Sequence, residues 1–272
     1  MIVTALLLIA VGTTDVIRQA FGARRASAPV PNSAAQDHAA PSHAAPNHAN
    51  LPRRITLAAA AVAILLLSIA AGAWPGGVLA VACAAAWIWL MPTDAPARAG
   101  IWPAVALAIL AGAFIALLGS RADVGLLGSV WSMSSPWGAL SLDATLLVIG
   151  VVLFLLESAN LVVRAALTHE MATDATATPT TNPKAAASPT LKGGRLIGPL
   201  ERLLVFALTL SGMYTLLAAV LAAKGIVRFP EISRDRDAGN RAEYFLVGSL
   251  VSWVIALAAA FLVWWGFATP GV

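Results

Sequence analysis

The chain holds 272 residues, 59% of them hydrophobic and only 11% charged, with a formal net charge of +4. A water-soluble domain carries about a quarter charged residues, so this composition excludes an ordinary soluble fold and implies a chain that lives in a bilayer. The positive balance is not a nucleic-acid signature, because the basic residues gather between apolar runs, where they set orientation in a membrane.

A spanning helix needs about 20 apolar residues, and the chain offers seven candidates. The first is 2–17, closing on Thr13, Thr14 and Asp15. Its first positive charge, Arg18, comes after the apolar stretch, the reverse of the order in a cleaved signal peptide. We read 1–25 as an N-terminal anchor helix. Residues 26–52, ASAPVPNSAAQDHAAPSHAAPNHANLP, lack the large apolar residues that offset ordering entropy, and we expect a disordered linker. His38, His43 and His48 recur there every five residues. A Pro-broken chain does not preorganise a metal site, so the spacing reads as compositional.

Residues 53–167 read as a four-helix membrane core, with candidates at 55–73, 77–91, 100–119 and 144–164. Trp74-Pro75-Gly76-Gly77 makes a tight hairpin between the first two. Ser68, Gly72 and Gly76, and likewise Ala108 and Gly112, have the small-xxx-small spacing that lets helices approach in lipid. The lone Cys83 has no disulfide or metal partner pattern and reads as a buried structural thiol. Between 120 and 143, Trp131 and Trp137 suit a segment lying at a membrane surface.

The stretch VLFLLESANLVVRAAL, 152–167, interrupts leucine and valine with Glu157, Asn160 and Arg164. Spacing of i, i+3 and i+7 stacks all three on one helix face. A charge at a helix centre costs about 2.5–3.5 kcal/mol on insertion scales. Two readings stay open: a packing device, with Glu157 protonated or paired and Arg164 snorkelling to headgroups, or a relay carboxylate lining a polar cavity.

A second linker, 168–192, is again expected to be disordered, and 193–272 to form a two-helix membrane module with candidates at 203–223 and 244–268. The run between Arg202 and Lys224 is the cleanest of all, uninterrupted and apolar. Before it, 195–202 reads as a short amphipathic lead-in. Arg195, Glu201 and Arg202 would sit at the interface there, as headgroup anchors or as a gate of charge pairs with Arg164.

The basic residues of 18–54, 92–99 and 164–202 fall on one side of a seven-span threading, which must then be cytoplasmic. That places the N-terminus outside and the C-terminus in the cytoplasm. Loop 224–243 breaks the pattern: it carries Lys224, Arg228, Arg234, Arg236 and Arg241, yet falls outside. Its acids suggest a compact cap, with Glu243 opening the last helix and within salt-bridge reach of Lys224 or Arg228.

No zinc-protease, nucleophile-elbow or P-loop motif is present, and no histidine falls inside a candidate span. We expect no enzyme activity, no cofactor and no metal. The partners expected are membrane lipid and a membrane protein, not nucleic acid. The function expected is a non-enzymatic scaffold or accessory subunit; the alternative is a small ion- or proton-coupled carrier or channel using Glu157.

Gly194-Arg195, Gly198-Pro199-Leu200-Glu201-Arg202, Ala222-Ala223-Lys224 with Arg228-Phe229, and Ala242-Glu243-Tyr244 leading to Gly248-Ser249 together resemble an uncharacterised family of bacterial multi-pass membrane proteins. The resemblance covers about the last quarter of the chain, and Gly225 stands where that pattern has Ser. It implies a bacterial inner-membrane module and brings no substrate or cofactor.

Overall fold

The computed structural model describes residues 1–26, 51–93, 98, 100–118, 124–135, 138–174, 194–233 and 238–268. Helices dominate: α1 Ile2–Ala26, α2 Leu51–Ala70, α3 Trp74–Leu90, α4 Trp102–Leu118, α5 Gly125–Val130, α6 Leu142–Leu153, α7 Ala159–Asp174, α8 Gly194–Leu210, α9 Tyr214–Ser233 and α10 Ala238–Ala268. A π turn, Phe154–Ser158, joins α6 to α7 without a break. The expected surface segment before α6 folds as α5 and a small antiparallel hairpin, β1 Met133–Ser135 against β2 Gly138–Leu140, with Ser134 opposite Ala139. Ser141 caps α6 by accepting from the Ala144 amide.

Among the described residues, four helical segments are long and apolar enough to cross a membrane: Ile2–Gly22, Leu51–Ala70, Leu142–Thr168 and Leu246–Ala268. Trp74–Leu90, Trp102–Leu118 and Tyr214–Val227 are shorter apolar helices. The fold is therefore α-helical with the apolar helices of a multi-pass membrane protein.

The first helix is no peripheral anchor. Ile2–Val11 is buried along almost its whole length, with α2, α3, α4, α6 and the π turn around it. Small residues make this possible. A Cβ at Gly12 would stand 2.7 Å from Leu153 Cβ, and one at Gly150 would stand 2.9 Å from the Ala5 carbonyl. The α1 and α6 backbones thus touch where a side chain would hold them apart. Thr4 Oγ1 donates to the Ala111 carbonyl of α4 at 3.0 Å, so this polar group does not meet hydrocarbon unpaired.

Two helical hairpins flank this centre, α2–α3 and α8–α9. Each turns through the same device. Gly72 and Gly212 adopt positive φ, 66° and 69°. The amides of Gly72 and Ala73 donate to Ile69 and Ser68, and those of Gly212 and Met213 to Thr209 and Leu208. Both are Schellman motifs, which end a helix by satisfying its last carbonyls.

The second hairpin corrects the expectation of one helix over 203–223. Apolarity predicted a continuous span; Ser211-Gly212 ends it after Leu210 because only glycine enters the left-handed region cheaply. Glu201 lies ten residues before Ser211 and Lys224 eleven after Met213, and their side chains meet. The two helices therefore run antiparallel, and the start of loop 224–243 returns to the end of the bundle from which α8 set out.

At the opposite end the first residue meets the last helix. A Cβ at Gly266 would lie 3.0 Å from Leu147, 3.3 Å from Met1 and 3.7 Å from Ile115. Met1 and Gly266 thus share one end of the bundle, whereas a seven-span threading puts the first and last helices' outer tips at opposite ends. The linkers expected at 26–52 and 168–192 fall mostly outside the described residues, as do the three histidines. At their edges Ala26, Leu51-Pro52 and 168–174 are helical.

Candidate functional site

Polar side chains converge around the π turn in three linked groups. The innermost lies between α1 and α3. Asp15 and Arg18 are 2% and 3% exposed and form a salt bridge of 2.9 Å. Trp87 Nε1 donates to the other Asp15 oxygen at 2.8 Å, and Arg18 Nη2 donates to the Met91 carbonyl at 2.7 Å. The fully buried Ser158 hydroxyl, on the π turn, faces the Asp15 carboxyl. An ion pair this enclosed persists only because each charge has several partners.

The second group is built by the π turn itself. In an α-helix an amide bonds the carbonyl four residues back; here the Ala159 amide reaches Phe154, five back. The Leu155 carbonyl, which that amide would otherwise occupy, accepts from Arg202 Nε at 3.1 Å. Arg202 is 2% exposed, and its Nη2 donates to Asn160 Oδ1. Asn160 Nδ2 in turn donates to the Leu156 carbonyl at 3.2 Å and approaches Glu157 Oε2 at 3.4 Å. A guanidinium from α8 thus bridges the two sides of the π turn.

The third group fastens the C-terminal hairpin. Lys224 Nζ lies 2.5 and 2.7 Å from the two Glu201 oxygens. Trp253 Nε1 of α10 donates to Glu201 Oε1 at 2.7 Å, and the Lys224 ammonium stands 5.4 Å from the Trp253 ring centroid.

Between the groups lies a small open crevice lined by Asp15, Gln19, Thr93, Glu157, Leu161 and Arg164. Glu157 is half-buried in it and Arg164 is exposed at its rim. The face read from the sequence serves two neighbouring features. Glu157 and Arg164 line the crevice, while Asn160, beside Glu157 on the same face, also serves Arg202. Glu201 and Arg202 are not headgroup anchors at a helix tip; Arg202 is interior and Glu201 holds Lys224. The side chains of Arg195, Arg228 and Glu243 lie outside the described ones. Lys224 therefore has Glu201 as its described partner, and the expected Glu243 contact falls outside the described residues.

Comparison with family models, with curated proteins and with solved structures gives no match to this chain. The site must be read from its own chemistry. Among the described residues no three His, Cys, Asp or Glu side chains cluster to hold a metal. The crevice offers carboxylates, an amide, a hydroxyl and a guanidinium, which can bind water or exchange a proton.

Sequence reading passed over Asp15, Arg18, Gln19, Trp87, Thr93 and Trp253 as site residues. The Asp15–Arg18 pair had a usable signal, opposite charges at i and i+3 closing an apolar helix. Nothing local joins Trp253 to Glu201, 52 positions away.

Proposed function

We propose that the protein is a non-enzymatic integral membrane scaffold or accessory subunit of the bacterial inner membrane. The observation that supports this most is where the charges go. Asp15, Arg18, Glu201, Arg202 and Lys224 are engaged with one another and with backbone carbonyls, rather than strung along an open path. Beside them α9 is apolar yet has no buried residue over Tyr214–Val227, a helix suited to lipid or to a neighbouring membrane protein. The resemblance of the C-terminal quarter to a bacterial membrane family is compatible with this and adds no substrate.

The threading we propose has six crossings, α1, α2, α3, α4, α6 with α7, and α10, and a re-entrant α8–α9 hairpin. The charged end faces the cytoplasm, and Met1 and the end of α10 lie outside. Loop 224–243 then obeys the positive-inside rule it violated in a seven-span threading. In a Cys83→Ser background, cysteines at Ala238 and Ser188 should resist an impermeant thiol reagent in intact cells, and cysteines at Ser134 and Ala268 should react. Labelling at Ala238 would restore the seven-span alternative.

The crevice favours a second reading, a proton- or ion-coupled carrier using Glu157. Partner capture from native membrane and flux in proteoliposomes separate the two. A defined partner without flux supports the scaffold; flux abolished by Glu157→Gln replaces it with the carrier.

A further inference from the structure

We infer that Arg202 is a positioning residue that holds the long helix in its π register and so couples the α8–α9 hairpin to the crevice at Glu157. The inference rests on geometry and not on either functional reading. The Leu155 carbonyl, which the Ala159 amide passes over for Phe154, accepts from Arg202 Nε instead. Arg202 also grips Asn160, on the far side of the turn. Its guanidinium therefore spans the extra residue like a staple, with Nε on one side and Nη2 on the other. A planar fork with several donors does this; a lysine has only a single nitrogen to offer.

Release of the staple leaves the Leu155 carbonyl buried and unbonded, which is unfavourable. The helix recovers that bond by closing to α, with Ala159 donating to Leu155. One half must then turn by about 100° and shift by about 1.5 Å relative to the other. The half before the turn is fixed, because Gly12 and Gly150 lock α6 against α1 with no room for a Cβ. The half that moves is α7, and it carries Leu161 and Arg164 away from Asp15, Gln19 and Glu157. Glu201, next in sequence to Arg202, is clamped by Lys224 and Trp253. Docking of α9 and the position of the staple are thus tied through one turn of α8. Anything that draws α9 away, lipid or protein, would reshape the crevice through a bistable helix register.

The test uses the full chain in lipid vesicles in a Cys83→Ser background. Cysteines at Gln19 and Arg164, both lining the crevice, are joined by a short bis-maleimide. A second pair, Val3→Cys with Gly76→Cys, reports an intact α1–α3 contact, since a Cβ at Gly76 lies 3.6 Å from Val3 Cβ. Arg202→Met should abolish the Gln19–Arg164 cross-link and leave the Val3–Gly76 disulfide. Deleting Leu156 removes the extra residue, so that Ala159 still bonds Phe154 and Asn160 takes the Leu155 carbonyl in plain α geometry. In that deletion background Arg202→Met should no longer abolish the cross-link. Survival of the cross-link in Arg202→Met alone overturns the inference. If Arg202→Met alone loses both cross-links, the deletion variant decides: both restored supports the register role, both still lost shows that Arg202 acts otherwise.

Discussion

The two helical hairpins share a turn and a clamp, and differ in what surrounds them. Both turn on a left-handed glycine in a Schellman motif. Both are tied by a tryptophan indole donating to a carboxylate that also holds a cation: Trp87 to Asp15 with Arg18, and Trp253 to Glu201 with Lys224. Around α2–α3 these parts are packed, although Gly72 and Trp74 themselves are exposed. Ala71 and Ala73 are buried at the turn, and α3 turns Gly76, Gly77, Ala80, Ala84 and Trp87 inward. Gly125, at φ +65°, approaches the Gly72 amide so closely that a Cβ would stand 2.4 Å away. Around α8–α9 they are open. Ser211, Gly212 and Met213 are exposed, a Cβ at Gly212 meets nothing within 4 Å, and no described residue of α9 is buried. The lesson is that one local design yields a fixed element or a movable one according to the burial of its flanks.

Substitutions can break that contrast, and the largest effect belongs to the sealed clamp. Arg18→Met leaves the Asp15 carboxylate buried without its cation, and loss of one partner of such a pair costs about 3–5 kcal/mol. Thermal unfolding in detergent should show the largest drop of this set; a midpoint unchanged from the parent would mean that the site is wet. Next comes Gly77→Ala. Its Cβ would fall 2.0 Å from Ser68 Oγ, and overpacking of this kind costs about 1–3 kcal/mol. The same assay reads it, and a neutral result would show that α2 and α3 can part as freely as α8 and α9.

The open hairpin should yield less. Gly212→Ala has space for its methyl and suffers only the left-handed backbone, about 1–2 kcal/mol. The smallest loss is expected from Lys224→Met. The side chains of Lys224 and Glu201 are 24% and 14% exposed, so solvent screens the pair and the cost should be about 1 kcal/mol. Its better readout is local: amide exchange over Tyr214–Val227 should quicken while exchange in α3 stays unchanged. Equal protection of α9 in parent and variant would show that the clamp does not hold the helix.

Much of the architecture was legible beforehand. Apolar runs of spanning length announced α1, α2, α3, α4, the helix of Glu157 and α10, and Trp74-Pro75-Gly76-Gly77 announced the first hairpin. The second was hidden inside the charge-free run between Arg202 and Lys224. Hydropathy averages over a window, and a single glycine able to adopt positive φ does not lower it. The π turn was equally invisible, since Phe154–Ser158 has no composition of its own; it exists because Arg202, 47 positions away, donates to the Leu155 carbonyl. Glu157, Asn160 and Arg164 were grouped from spacing, but the crevice that Glu157 and Arg164 line needs Asp15 and Gln19 from a helix far away in sequence.

Composition alone determined that this chain belongs in a bilayer, because 59% hydrophobic residues with 11% charged leave no soluble way to bury the surface. Charge placement alone marked one end of the bundle. Tertiary structure decided the rest: that the first helix is the centre, that the first and last helices meet at Met1 and Gly266, and that the buried charges find one another. Those outcomes depend on contacts between residues dozens of positions apart, where backbone approach at Gly12 and Gly150 and the reach of an arginine set geometry that no local pattern encodes.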